Sequence, residues 1–281
     1  MPPETPPSQS TSETQPEPIK RIIGVTGDKG GTGKSTVSRT IADLAIQKNI
    51  STLIFDCDKR NAQLHRYYDK AFQLTANSGS GVARIDLSVK GGADKLINSL
   101  DSGSTQLYLI DFPAGGGELF ERLEKEVKLF DFLNEIGCKL TAISVISRVK
   151  DCINSLRDLL EYCGKRADYV VAKNCFFGEP GKFSRFDNSK TKLLLEELGG
   201  VIINFPDLYD TTYDLLDDQN LTFTNALKPE SGLLLADRRR IKVFLDEVEA
   251  ELSKADHLLG LIKGIFKGYY GTFTRQANLT R

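Results

Sequence analysis

The sequence predicts an α/β fold: a doubly wound, mostly parallel sheet with helices on both faces. Three observations predict it. Short apolar runs alternate with amphipathic stretches along the chain. The runs are too continuously apolar for strands with one wet face. The first of them leads directly into a glycine-rich loop and then a stretch of helical spacing. Strands covered on both faces read as near-continuous apolar segments, which marks a parallel sheet. Strand–helix alternation with right-handed crossovers then winds the sheet in both directions.

The elements follow in order. Residues 1–19 open with "MPPETPPSQSTSETQPEP", which holds six of the ten prolines and no aliphatic or aromatic anchor. Such a segment cannot bury enough apolar surface to offset its ordering entropy, so it reads as a disordered tail. It lacks the basic start and apolar run of a secretory signal. Strands are expected at "RIIGVT" (21–26), "STLIFD" (51–56), "QLYLIDF" (106–112), "LTAISVIS" (140–147), "ADYVVAKN" (167–174) and "VIINFP" (201–206). Helical spacing fills 34–48, 118–136, 150–164 and 187–199 between them. In the second of these, Leu119, Leu123, Val127 and Phe130 form one stripe, and Gly137 is placed to cap the end. The chain after about Ser231 reads as helical with no further strand. Residues 20–281 are therefore expected to form one domain with C-terminal helices.

Composition sets the outer bounds. A net charge of −1 points to no nucleic-acid or acidic-ligand binder for the chain as a whole. Five widely spaced cysteines without a CxxC pair argue for reduced thiols and against a disulfide framework or a zinc site. The two histidines, His65 and His257, have no partners in the sequence that suggest ligation. No window approaches the apolar length of a membrane span, so a cytoplasmic protein is expected.

The chemistry concentrates in "GDKGGTGKST" (27–36). Backbone N–H groups of such a loop point at phosphate oxygens, glycines allow the close approach, and the next helix adds its positive end. Gly30, Gly31, Thr32 and Gly33 form the cradle, Lys34 reaches the outer phosphates, and Ser35 and Thr36 open the helix. The Ser35 hydroxyl is the expected Mg²⁺ ligand. The ordinary pattern G-x-x-x-x-G-K-[ST] fails by one residue, because Asp28 and Lys29 stand where it requires glycine and an unspecified residue.

"KGGTGKST" instead resembles the deviant Walker A box of the ParA/MinD family of dimeric P-loop ATPases. "DCDKRNAQL" (56–64) is similar to that family's switch I segment, and "LIDFPAG" (109–115) to its switch II segment, close to the D-x-P-A-G form of MinD. The three motifs keep the family's order, and the resemblance covers roughly 20–210. It implies an ATPase that binds ATP and Mg²⁺ and dimerises in the ATP state. It also implies an activator protein, ParB-like or another adaptor, and the positioning or partition of a cargo. Lys29 is then a cation that crosses the dimer interface to the partner's phosphates. Asp58 orients the attacking water and touches the Mg²⁺ shell. Asp56 closes its strand and supports the metal's waters, Asp111 binds Mg²⁺ through water, and Gly115 offers its N–H to the γ-phosphate. Asn174, with Lys173 second, matches the base-recognition position. Pro206 and Asp207 match a loop that closes over the base. Lys59 departs from the family pattern, which often has proline or an apolar residue there. A MinD-like membrane-cycling ATPase and a DNA-transfer accessory ATPase are rivals on the same core. A metabolic P-loop enzyme is a third, but no substrate motif supports it.

The final seventy residues carry no family signature. Arg238, Arg239, Arg240 and Lys242 cannot share one helix face, and Asp246, Glu247 and Glu249 can pair with them. A salt-bridged helix is the first reading, and contact with nonspecific DNA, as on a nucleoid, is the second. In 257–271, Leu258, Leu261, Ile262, Ile265 and Tyr269 form a stripe beside Lys263 and Lys267. Core packing ranks first for it, DNA or partner contact second, and a membrane surface third.

Overall fold

The structure is a computed structural model that describes residues 20–27, 30–59, 61–73, 79–101 and 105–261. Seven strands form one sheet: β1 (Arg21–Thr26), β2 (Thr52–Asp56), β3 (Gly81–Arg84), β4 (Leu107–Asp111), β5 (Lys139–Ile146), β6 (Asp168–Asn174) and β7 (Val201–Phe205). Every pairing is parallel, and the order across the sheet is β3-β2-β4-β1-β5-β6-β7. The winding reverses around β1, which lies between β4 and β5. The carboxyl ends of strands at such a reversal frame a crevice open to ligands.

The connecting helices are α1 (Lys34–Gln47), α2 (Gln63–Gln73), α3 (Asp94–Asp101), α4 (Gly116–Val127), α5 (Leu129–Glu135) and α6 (Lys150–Cys163). They continue with α7 (Ser184–Asp187), α8 (Lys190–Glu197), α9 (Asp210–Asp218), α10 (Phe223–Ala226), α11 (Leu235–Ser253) and α12 (Asp256–Leu259). Two apolar clusters lie against the sheet. One joins Ile23 and Val145 to Ile41 of α1 and Phe244 and Val248 of α11. The other joins Ile22 and Ile110 to Leu123 of α4 and Leu156 and Leu160 of α6. Alternate residues of each strand feed opposite clusters, as a sheet covered on both faces requires.

Several sequence expectations need correction. The six expected strands are present, and β3 is a seventh. It is an edge strand of four residues with a partly exposed pattern, so no apolar run announces it. The helix expected over 118–136 is two helices, broken where Lys128 takes a left-handed conformation (φ 51°). The Glu124 carboxylate accepts the Phe130 amide at 3.0 Å and supports the new start. Leu123 and Phe130 are buried, Leu119 and Val127 pack half-buried beside them, and Gly137 turns the chain at φ 65°. The helix expected at 187–199 starts at Lys190, where the Ser189 hydroxyl caps it by accepting the Lys192 amide.

The end of the described chain is pinned to the sheet. Arg21 pairs with Asp168 at 2.6 Å and donates to the His257 carbonyl, while Lys48 donates to the Leu261 carbonyl. Leu258 and Leu261 are buried in the first cluster. Helix α12 ends at Leu259 with Gly260 left-handed, so 257–271 is not one continuous helix. Ile262, Ile265 and Tyr269, like the tail 1–19, lie outside the described residues. No described helix is long and apolar enough to cross a membrane.

Candidate nucleotide site

The glycine-rich loop leaves β1 and enters α1 at Lys34, in the strand–loop–helix order that points backbone amides outward. Gly33 stands at the turn into the helix with φ 93°, and a Cβ there would lie 2.3 Å from the Asn174 side-chain nitrogen. Only glycine fits both restrictions. Gly31 is also left-handed (φ 78°), but a Cβ on it would meet open space.

Two strand ends supply the acids. Asp56 and Asp111 are paired in register where β2 and β4 finish. Asp111 is buried, and its carboxylate accepts the Ser35 and Ser38 hydroxyls at 2.8 Å each. Burial, more than the nearby Asp56 charge, raises its pKa to about 7 against the pull of those hydroxyls and of Lys34. Asp56 is buried too, and its two oxygens accept the amides of Asp58 and His65 at 3.1 Å each. Burial likewise raises its pKa. Asp56 therefore closes the strand and anchors the start of α2. The Asp58 carboxylate in turn accepts the Asn61 amide at 3.0 Å.

Asp58 and Asp111, but not Asp56, border a cleft of about 780 Å³. Gly30, Gly31, Gly33, Lys34, Ser35 and Thr36 line it together with Asp58 and Asp111. Pro206 and Asp207 line it too, with Leu208 and Phe244. Burial, with Asp210 nearby, raises the pKa of Asp207. The Tyr213 hydroxyl lies 3.0 Å from that of Thr36 and joins α9 to the loop helix. Gly115 is left-handed at the start of α4, and the cleft is lined by its neighbours Pro113 and Ala114. Lys29 lies outside the described residues.

The two candidates for base recognition are placed differently from one another. The Asn174 carboxamide donates to the Thr32 carbonyl at 2.8 Å and accepts the Phe176 amide at 3.1 Å. It borders the cleft but also ties β6 to the phosphate loop. Lys173 does not border it. Successive strand residues face opposite sides, and Lys173 pairs with Asp187 at 2.6 Å near the rings of Phe183 and Phe186. Its part in base recognition is withdrawn.

Sequence reasoning missed three site residues. Ser38 had no motif to mark it, although its i+3 spacing from Ser35 puts both hydroxyls on one helix face. Phe176, 59% exposed, borders the cleft, and an exposed aromatic after a strand end was its only signal. Tyr213 lies on a helix that the sequence did not announce.

The basic run of α11 is largely committed to its own helix. Arg240 pairs with Asp237 at 2.9 Å and lies over the Tyr209 ring, and Lys242 pairs with Asp246. Glu249 pairs instead with Lys48. Among the described residues, no group of three or more His, Cys, Asp or Glu side chains forms a metal cage.

Comparison with known proteins places the chain in a family. The chain is 27% identical over 209 residues to "Protein MobD" of Acidithiobacillus ferrooxidans, covering 74% of this chain and 87% of that protein. Its fold is similar to that of McdA from Cyanothece, solved as an ATP complex of a variant, with a TM-score of 0.50 and 13% identity. That match covers 89% of this chain and 99% of the other. The sequence pattern of the CobQ/CobB/MinD/ParA nucleotide binding domain matches residues 23–268, and the chain belongs to that family.

Proposed function

We propose that the protein is a ParA-like, Mg²⁺-dependent ATPase whose ATP-bound dimer and subsequent hydrolysis position or partition a cargo. The observation that carries this reading is one cleft bordered by Lys34, Ser35, Asp58 and Asp111 at the carboxyl ends of three strands. The donor set fits Mg²⁺. Ser35 and Asp111 are hard oxygen donors already in contact, and Mg²⁺ takes few protein ligands beside phosphate oxygens and water. When bound, the ion neutralises charge on the phosphate oxygens.

Each residue then has a role. Lys34 and the amides of residues 30–36 hold the outer phosphates. The Ser35 hydroxyl and, through water, the Asp111 carboxylate would hold the Mg²⁺. Asp58 orients the attacking water, while Asp56 fixes the turn that carries Asp58. Gly115 offers its amide to the γ-phosphate. Asn174, Pro206 and Asp207 border the base, and Phe176 offers a ring to stack on it. Lys29 reaches the partner's phosphates, as an arginine finger does in trans. A ParB-like or other adaptor protein stimulates turnover. Nonspecific DNA is the surface on which the cycle runs, ahead of a membrane, and exposed Arg239 supports this.

Calorimetry with Mg²⁺-ATP tests the site. Wild type should bind and slowly hydrolyse ATP. Lys34→Ala should lose at least about tenfold in affinity, since a charge-assisted contact to phosphate exceeds an ordinary hydrogen bond. Equal affinity in the two proteins would overturn the assignment of the loop.

A further inference from the structure

The loop between β3 and α3 touches both segments that flank the acidic side of the cleft. Lys59, the residue after Asp58, pairs with the Asp86 carboxylate at 2.6 Å and donates to the Ser88 hydroxyl at 2.7 Å. Arg84, which ends β3, donates to the Lys59 carbonyl at 3.2 Å. From the other side, Arg122 of α4 donates to the carbonyls of Leu87 and Ser88. The Glu126 carboxylate of α4 accepts the Gly91 amide at 2.7 Å. Helix α4 starts directly after Pro113 and Ala114, which line the cleft.

The loop is built to stay in shape. Ile85 and Leu87 are buried in the second apolar cluster. The Asp86 carboxylate accepts the Ser88 amide at 2.9 Å, and the Gly92 amide donates to the Val89 carbonyl at 3.1 Å. A Cβ at Gly92 would lie 1.8 Å from the Asp86 carbonyl oxygen, so the turn closes only with glycine there.

We propose that residues 85–92 form a strut joining the Asp56–Asn61 segment to α4, and that Lys59 is the positioning residue that fixes Asp58 through it. A lone exposed ion pair would hold little, but here contacts from Lys59, Arg122 and Glu126 converge on one short loop anchored in the core, and Arg84 beside it holds the Lys59 carbonyl. The strut makes the two flanks of the cleft move together: a shift of the Asp58 turn pulls on α4 through Arg122 and Glu126. It also gives the unusual lysine a task. The inference rests on the reading of Asp58 as the group that orients water.

The test compares wild type with Lys59→Gln, Lys59→Arg, Arg122→Gln and the charge swap Lys59→Asp with Asp86→Lys. ATP affinity, turnover and amide hydrogen exchange are measured on each full chain. Lys59→Gln should keep ATP affinity within about twofold and lower kcat about three- to fivefold, the scale of a partly exposed charge contact. Exchange should rise in 57–62 and also in 116–122, on the far side of the strut. Lys59→Arg and the charge swap should restore both readouts. Arg122→Gln should raise exchange in 57–62. If Lys59→Gln leaves 116–122 unchanged, or if affinity falls as much as kcat, the strut is wrong. Absence of ATP turnover in wild type would overturn the ATPase reading, while the exchange comparison would still judge the strut.

Discussion

Asp56 and Asp111 stand side by side, in register, where β2 and β4 end beneath the phosphate loop. Both are buried, and burial raises the pKa of both. The two are not equivalent. Asp56 accepts two backbone amides that a strand end and a helix start provide, whereas Asp111 accepts two hydroxyls from α1. Amide contacts fix a carboxylate in place. Hydroxyl contacts can be exchanged for a cation.

The first prediction follows from the sign of the Asp111 shift. Its folded pKa of about 7 lies above the ordinary 3.8, so the folded state holds the proton more tightly than the unfolded one. The stability this contributes is fully present below 3.8 and is lost as pH rises towards 7. Asp56 acts in the same direction. The unliganded protein should therefore lose stability relative to Asp111→Asn between about pH 4 and about pH 7, by up to about 4 kcal/mol. Mg²⁺-ATP favours the carboxylate, so its stabilising effect on wild type should be larger at the upper end of that range. Thermal unfolding of both proteins measures this. A constant gap between them across the range would contradict the prediction.

Gly33 and Gly31 are both left-handed, but only Gly33 faces a neighbour that a methyl group would strike. Gly33→Ala should cost about 1–3 kcal/mol of stability through backbone strain and the clash with Asn174. It should also lower ATP affinity by at least about tenfold, because the loop amides move off their aim. Gly31→Ala carries strain of about 1–2 kcal/mol without the clash. Equal losses in the two variants would show that Asn174 does not set the loop.

Lys29→Ala separates a trans role from a cis one. Lys34 and the loop amides should keep ATP affinity within about threefold. Stimulated hydrolysis should fall by at least about a hundredfold, the scale of a cation supplied across an interface. A large loss of monomer ATP affinity, with normal turnover at saturation, would return Lys29 to its own subunit.

Much of this was legible in the sequence because burial on both faces leaves a continuous apolar record. Six strands and the helices α1 and α6 lie within a residue or two of their expected places. Edge strand β3 carries no such record, since it is four residues long and none of them is fully buried. Lys128 gave no warning of its helix break, because the left-handed turn is fixed by contacts from Glu124 and the core. The phosphate loop, Asp58 and Asp111 were legible because backbone geometry and phosphate chemistry restrict residue types locally. Lys173 was misplaced because strand alternation decides which neighbour faces the loop, and its partner Asp187 lies outside the motif. The tie from Asn174 to Thr32 spans 142 residues, a distance at which no local pattern operates.

The central claim is that ATP assembles a dimer which hydrolysis takes apart. Asp58→Ala should bind ATP, because the phosphate contacts remain, yet fail to orient water. Multi-angle light scattering with Mg²⁺-ATP and with Mg²⁺-ADP tests this directly. Asp58→Ala in ATP should scatter at twice the 31.1 kDa chain mass and stay there. Wild type should relax to 31.1 kDa as ATP is consumed, and both should remain at that mass in ADP. A variant that stays monomeric in saturating ATP, or that consumes ATP at the wild-type rate, would contradict the account.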